Sequence, residues 1–325
     1  MVPTLAADST YMECLQSLKA QTMQDFETVV VDNSGAGRVP LDAADRVIRN
    51  QRNVGFGAAV NQAYRASPAP FLATLNDDAV AHPQWLASLL AAMETRPRIG
   101  MCASQVRLSG SGADRLDSAG MLLCRDGSSR QRGHGQPPSQ FPRLEAVLLP
   151  SASAALYRGE MLKEIGLFDE SFFLYCEDTD LGLRARWAAW ECLYVPEAVV
   201  EHRYSHSAGR ASALKAYYVE RNRLFLVLKN FPMDLLLRAP FHAAARYFWH
   251  VALAAQGQGA AAEFGRQGNG MSQLPVLVLR AHWEMLRNLR ALWKQRRAVK
   301  RRITGRQFQD LLAKYAISAR QVAAL

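Results

Sequence analysis

The sequence has little material for covalent cross-links, zinc clusters or membrane spans. Its five cysteines, Cys14, Cys102, Cys124, Cys176 and Cys192, are scattered, odd in number and without a C-x-x-C pair. That pattern excludes a disulfide framework and a structural zinc site, and leaves reduced, mostly buried thiols. No stretch reaches the roughly 20 uncharged apolar residues a spanning helix needs. The nearest, residues 247–262, is broken by His250 and by glycine and glutamine. The first residues lack a basic start followed by an apolar core, so no secretory leader is expected and a cytoplasmic location is. Acidic residues are absent where basic charge is densest. Residues 287–306 carry Arg287, Arg290, Lys294, Arg296, Arg297, Lys300, Arg301, Arg302 and Arg306 with no Asp or Glu.

What is present describes a compact globular protein. Hydrophobic residues make up 49% and charged residues 21%, which is too apolar for disorder. A length of 325 residues suits one large domain with an appendage or two modest domains. The net charge of +10 could serve nucleic acid or an anionic membrane surface. No nucleic-acid partner is expected, because the basic stretch is not joined to the pattern of a nucleic-acid-binding fold. Residues 224–253 mix Phe, Trp, Leu and Tyr with Lys229, Arg238 and Arg246, as an interfacial helix does. The chain is therefore expected to lie on the inner face of a membrane rather than to cross it.

Residues 26–31, F-E-T-V-V-V, and residues 71–75 read as buried strands, each ending in carboxylates: Asp32-Asn33-Ser34 and Asn76-Asp77-Asp78. Helical stretches precede them at 12–20 and 57–66, and a third follows at 85–94. Alternating helix and strand implies a parallel sheet with right-handed crossovers. Ligands in such sheets bind beyond the carboxyl ends of the strands, so Asp32, Asp77 and Asp78 would share one rim. Residues 109–142 read as a long loop with a hairpin near Asp126-Gly127. Residues 192–195 and 196–200 read as two extended segments, and the chain after Ala211 as helical nearly to its end.

Neighbouring carboxylates at a strand end suit Mg²⁺ or Mn²⁺, hard cations that share carboxylate and phosphate oxygens. The same Asp77-Asp78 pair also fits a solvated turn, since turns favour Asp. The segment Asn53-Val54-Gly55-Phe56-Gly57-Ala58-Ala59-Val60-Asn61 sets two glycines where the chain must bend tightly or approach a ligand before entering a helix. In Glu177-Asp178-Thr179-Asp180 three carboxylates open a helix, which the helix dipole alone would favour. Asp180 and Arg184, four residues apart, read as a surface pair.

Taken together, V-V-V-D-N-S at 29–34, N-V-G-F-G-A-A-V-N at 53–61, L-N-D-D at 75–78 and G-L-F-D-E-S-F-F-L-Y-C-E-D-T-D-L-G-L-R at 166–184 resemble family 2 glycosyltransferases. The bacterial rhamnosyltransferase-like branch is the nearest in pattern. V-P-E-A-V-V-E-H at 195–202 and Y-Y-V-E-R-N-R at 217–223 extend the likeness, which covers about residues 1–230 in the family's order. The resemblance implies an α/β fold of GT-A type, a mostly parallel Rossmann-like sheet flanked by helices with a helical C-terminal extension. It implies a nucleotide-sugar-binding half at 1–108, an acceptor-binding and catalytic half at 109–215, and the basic helical extension at 216–325.

It also implies an inverting, metal-dependent hexosyltransferase that moves a sugar, rhamnose favoured, from a nucleotide diphosphate to a hydroxyl of a glycan or lipid-linked acceptor in cell-surface polysaccharide synthesis. The other reading is a non-catalytic nucleotide-sugar-binding or scaffold protein of the same fold. By the resemblance Asp32, Asn33, Asn53, Gly55, Asn61, Asn76 and Asp77 bind the donor. Asp78, with Asp77 and His202, holds Mg²⁺ or Mn²⁺; His206 matches less well. Asp178, with Glu177 beside it, is the base that takes the acceptor hydroxyl's proton. Three departures stand out. Asn76 replaces the first acid of the D-x-D pattern, the first strand is cut short at Met1, and Ser151-Ala152-Ser153-Ala154 lacks the family's glycine and bulkier residues.

Overall fold

The computed structural model describes residues 1–110, 114–203, 212–268, 270 and 272–324; His206 lies outside them. The chain forms two compact units, one of Met1–Met121 and Gln131–Tyr204, the other of Leu122–Arg130 and Ser205–Leu325. The segment 122–130 thus belongs with the C-terminal helices, a long-range association that local pattern does not encode.

The first unit opens with β1 (Val2–Thr4), α1 (Thr10–Lys19), β2 (Val29–Asp32), β3 (Arg46–Arg49), α2 (Phe56–Ala66) and β4 (Phe71–Leu75). β5 (Ala79–Ala81), α3 (Trp85–Glu94), β6 (Ile99–Leu108) and β7 (Leu116–Ser118) follow. A hairpin of β8 (Met121–Leu123) and β9 (Ser129–Gln131) leads on to β10 (Glu145–Ala146), β11 (Ala154–Arg158), α4 (Gly159–Ile165), α5 (Glu177–Trp187) and β12 (Glu191–His202).

β1, β2 and β3 pair in parallel, with Thr4 opposite Asp32. The short first strand therefore forms. Its Met1 amine donates to the Ala73 carbonyl and its carbonyl accepts from the Leu75 amide, both at 3.1 Å, the slanted pattern of a parallel neighbour. β11 is antiparallel to both β4 and β6, and β12 is parallel to β6. β3, β2, β1, β4, β6 and β12 consequently run one way, with β11 reversed between β4 and β6 and the short β5, β7 and β10 also antiparallel to their neighbours.

Alternate residues of the central strands enter different cores, as the two-residue period of a strand requires. Cys102, Val106, Ala154, Leu156, Leu193 and Val195 pack with α1 and α3 residues such as Leu15, Trp85 and Leu89. Met101, Ala103, Ala155, Tyr157, Cys192 and Tyr194 pack with Val60, Leu181 and Ala185 of α2 and α5. Both faces are covered, which explains the near-continuous apolar runs. The two extended segments expected at 192–200 are one strand, and its register against β6 jumps between Val195 and Val199. Pro196 sits in the jump, where a missing amide costs no ladder bond.

The second unit comprises the hairpin tip and α6 (Ala213–Asn230), α7 (Met233–Ala254), α8 (Gly259–Arg266), α9 (Gln273–Arg287), α10 (Leu289–Ala298), α11 (Gly305–Lys314) and α12 (Ala319–Ala324). Phe225, Leu226, Val227 and Phe231 are buried, so the interfacial stretch expected across 224–253 is not one helix; Phe231-Pro232 divides it. Buried charges fix the hairpin to the helices. Arg246 Nε donates to Asp126 Oδ2 at 2.5 Å and its Nη2 to Glu220 Oε2 at 2.7 Å. Arg223 Nη1 donates to the Asp126 carbonyl at 2.7 Å and its Nη2 to Glu220. The Y-Y-V-E-R-N-R segment supplies two members of this network. Among the described residues no helix is long and apolar enough to cross a membrane.

Candidate active site

The C-terminal end of β4 delivers Asn76, Asp77 and Asp78 into a turn, and β12 ends on His202 beside it. Both Asp78 and His202 are buried, at 7% and 6% exposure. His202 Nε2 lies 3.1 Å from Asp78 Oδ1. The approach is ionic rather than aligned, because the buried Oδ1 has no hydrogen-bond partner among the described residues. Behind the ring, His202 Nδ1 is 2.8 Å from Asp117 Oδ2, and His134 Nδ1 is 3.2 Å from Asp117 Oδ1.

A carboxylate behind an imidazole sets which nitrogen carries the proton and turns the ring. Nδ1 therefore donates to Asp117 and Nε2 faces Asp78. Burial works against charge on His202, but the hydrogen bond to Asp117 and the nearness of Asp78 prevail and raise it to about 10. Asp117 is penalised by burial too, yet His134 and His202 hold it down at about 2.

Asp77 points elsewhere. Thr4 Oγ1 donates to Asp77 Oδ2 at 2.6 Å, so this carboxylate fastens the turn to the end of β1. Burial and the neighbouring Asp78 charge raise Asp77 above the ordinary range against the pull of that bond. The Asn76 side-chain nitrogen lies 3.4 Å from His202 Nε2. Among the described residues no three His, Cys, Asp or Glu side chains converge as a metal cluster. The orphaned Oδ1 of Asp78 and, once it gives up its proton, Nε2 of His202 are donor atoms of the kinds a divalent cation takes.

The second carboxylate group opens α5. Phe173, Tyr175 and Cys176 hold positive φ of 63°, 69° and 66°, a run that L-residues rarely adopt and that concentrates at functional sites. It delivers Asp178 to the turn before β11. Asp178 Oδ2 accepts from the Ala152 amide at 3.2 Å; Oδ1 accepts from the Thr179 amide at 2.6 Å and the Thr179 hydroxyl at 3.1 Å. Burial raises Asp178 above the usual carboxylate range despite these bonds. Glu177 is buried, its Oε2 unpartnered among the described residues, and burial followed by the Asp178 charge lifts it to about 8. Burial thus pushes both carboxyl groups of the pair toward their protonated forms.

One short turn joins the two groups. The Ser153 carbonyl accepts from the Asn76 amide at 2.8 Å, and the Ala152 amide donates to Asp178. The acids at 76–78 and the acid at 178 thus flank residues 151–153, although some hundred residues separate them in sequence.

The remaining expected donor-site residues are engaged in building the loops. Asp32 is fully buried; its Oδ1 accepts from the Ser34 amide at 2.8 Å and its Oδ2 from the Val39 amide at 3.0 Å. Asn33 Oδ1 accepts from Asn50 at 2.8 Å. Asn53 Oδ1 accepts from the Gly55 amide at 2.9 Å. Gly55 has φ +89°, and a Cβ there would stand 2.3 Å from the Phe173 carbonyl oxygen. Asn61 donates to the Phe168 carbonyl and to Glu170, both at 2.9 Å, and accepts from the Phe168 amide at 3.1 Å. The glycine segment approaches the loop at 168–173 closely and holds it beside Glu177. Asp180 and Arg184 are not a surface pair: both are buried, 2.8 Å apart, and Arg184 also reaches the carbonyls of Ile165, Gly166 and Leu167.

Sequence reading missed Asp117 and His134, which fell inside the supposed loop at 109–142. The signal available was Leu116-Asp117-Ser118, an acid inside a short run whose three residues are all buried on β7.

The profile described as "Glycosyl transferase family 2" matches residues 1–166, just over half of the 325-residue chain. The chain belongs to this family. An N-acetylglucosaminyl-diphospho-decaprenol L-rhamnosyltransferase of Mycobacterium tuberculosis is 29% identical over 232 residues, covering 63% of this chain and 76% of the relative. Among solved structures, the mannosyltransferase PcManGT from Pyrobaculum calidifontis, in complex with GDP-Man and Mn²⁺, superposes with a TM-score of 0.55 at 16% identity, over 92% of this chain and 83% of that one. GalNAc-T7 with UDP, GalNAc and Mn²⁺ gives a TM-score of 0.58 at 14% identity, over 89% of this chain and 56% of that one. The fold is that of the GT-A glycosyltransferases, and membership of family 2 supports glycosyl transfer as the activity.

Proposed function

We propose that this family 2 glycosyltransferase transfers a hexosyl unit from a nucleotide diphosphate to a hydroxyl with inversion. The observation that carries the reading is the turn at 151–153, with Asp178 bonded on one side and the Asn76-Asp77-Asp78 turn on the other. An inverting transfer needs two functions on opposite sides of one anomeric carbon: a base for the attacking hydroxyl and charge stabilisation for the departing diphosphate.

Asp178 supplies the first. As the acceptor oxygen forms its bond to the anomeric carbon, its proton passes to the carboxylate, and the glycosidic electron pair leaves with the diphosphate. The Ala152 and Thr179 donors hold the carboxylate in orientation. Asp78 Oδ1 and His202 Nε2 are the groups that would hold a divalent cation, with Asp117 fixing the imidazole. Bound there, Mg²⁺ or Mn²⁺ supplies Lewis-acid neutralisation of the diphosphate. Asp77 keeps the turn in place through Thr4.

Rhamnose is the favoured sugar and a lipid-linked or glycan acceptor the favoured substrate, supported by the mycobacterial relative whose name carries both an L-rhamnosyl transfer and a diphospho-decaprenol acceptor. The corresponding pathway would be cell-surface polysaccharide synthesis. The test is a panel of nucleotide sugars, each with and without Mg²⁺ or Mn²⁺, scored first by thermal stabilisation and then by transfer to a polyprenyl-diphospho-sugar. The anomeric configuration of the product is read by proton NMR. A product of retained configuration, or stabilisation by every donor equally without metal, would overturn the reading.

A further inference from the structure

We infer that α9 and α10 form a docking surface for an anionic lipid bilayer, independent of which sugar the enzyme transfers. Val276, Leu279, Trp283 and Leu286 are 55–70% exposed. Their spacing of three, four and three residues sets them on one face of α9. The opposite side of the helix packs on α6 and buries Ala281. Arg280 and Arg287 flank the apolar stripe and are exposed. After Asn288, Leu289 continues the exposed apolar surface. Arg290, Lys294 and Arg297, at i, i+4 and i+7, then line one exposed face of α10, which carries no acid.

α7 adds a second stripe on its own exposed side: Leu237, Phe241, Phe248 and Val251 are 64–77% exposed. Such a concentration of large apolar side chains exceeds the isolated exposed residues an ordinary surface carries.

Charge decides the occupant. A second copy of this basic surface would bring like charges together around the stripe, and an apolar protein patch would leave the arginines unmatched. A bilayer with anionic headgroups accepts both parts. The apolar side chains enter the acyl boundary, Trp283 sits at headgroup depth, and the cations remain in the negative surface potential. The basic stretch is not a removable tail, because Leu292, Val299, Phe308, Leu312 and Tyr315 are buried in this unit. Its surface must be tested by single side chains on the full chain.

The full-length protein would be sedimented with phosphatidylcholine vesicles with and without phosphatidylglycerol. Binding is expected only with the anionic lipid and should fall as salt rises. Leu279→Gln or Trp283→Gln should weaken it about tenfold, the transfer energy of one large side chain. Arg290→Gln, Lys294→Gln and Arg297→Gln together should weaken it about a hundredfold. These positions are exposed, so thermal unfolding and transfer to a water-soluble acceptor should be unchanged. Wild-type protein left in the supernatant with anionic vesicles, or binding that the variants do not alter, would overturn the inference. So would a dimer in light scattering that Leu279→Gln dissociates without any vesicle binding, which would assign the face to a second copy.

Discussion

Replacing Asp178 with Asn removes one proton acceptor while changing almost no volume. Oδ1 of the asparagine can still accept from the Thr179 amide and hydroxyl, now held at 2.6 and 3.1 Å. The new amide nitrogen would face the Ala152 amide, which donates across 3.2 Å. Two donors opposed there should cost about 1 kcal/mol of stability, too little to unfold the unit. The chemical cost is larger. Loss of a positioned general base lowers the rate by about 10² to 10⁴, or roughly 3 to 5 kcal/mol of barrier.

Burial holds Asp178 above the ordinary carboxylate range. Its base form is the productive one, so kcat/KM of the wild type should fall as pH drops through that raised value, earlier than the ordinary pKa of about 3.9 would give. The assay is transfer of radiolabelled sugar at saturating metal, with stabilisation by the donor as the control for folding. Asp178→Asn should keep donor stabilisation and lose both the rate and the acid limb. A variant within about threefold of wild-type rate, or one retaining the acid limb, would refute the role of Asp178, since a base contributes far more than that.

Asp78→Ala and His202→Ala should each raise the metal concentration needed for half-maximal donor binding, read by calorimetry. Asp117→Asn, which alters the group behind the imidazole and not the metal-facing atoms, should weaken metal binding about 10- to 100-fold; unchanged affinity would leave Asp117 with no positioning role. Gly55→Ala should destabilise the first unit by at least ~2 kcal/mol, from strain at positive φ together with a Cβ 2.3 Å from the Phe173 oxygen. Gly110→Ala, also at positive φ but with open space around its Cβ, should cost only about 1 kcal/mol, and equal melting shifts would contradict the packing argument. Asp126 is held below its ordinary value by Arg246 and Arg223 against the penalty of burial, and Glu220 is depressed by the same two guanidinium groups. The sign follows: their contribution is complete above about pH 4.5 and is lost as pH falls toward the depressed folded values. Helical circular dichroism should decline in that window, and Glu220→Gln should be less stable at pH 7 and less sensitive to acid.

The alternation of apolar runs with polar turns was enough to set the class of the fold, because a strand buried on both faces must be apolar along its length. Segments 71–75 and 85–94 keep the bounds read from sequence. Motif order likewise fixed the family and made Asp78, Asp178 and His202 candidates, since each type of group is what diphosphate departure and hydroxyl attack require. Local pattern could not decide which carboxylate faces which partner. Asp77 and Asp78 are neighbours in sequence, yet one is turned to Thr4 of β1 and the other to His202 of β12. Asp117 was invisible for the same reason: it matters only because β7 pairs with β6 while β12 lies on the other side of β6. Asp180 and Arg184 have the spacing of a surface pair and are buried because the 165–167 loop closes over them. Sequence periodicity records which face of an element avoids water; which two faces then meet is settled only when distant segments pack. The site depends on that second step.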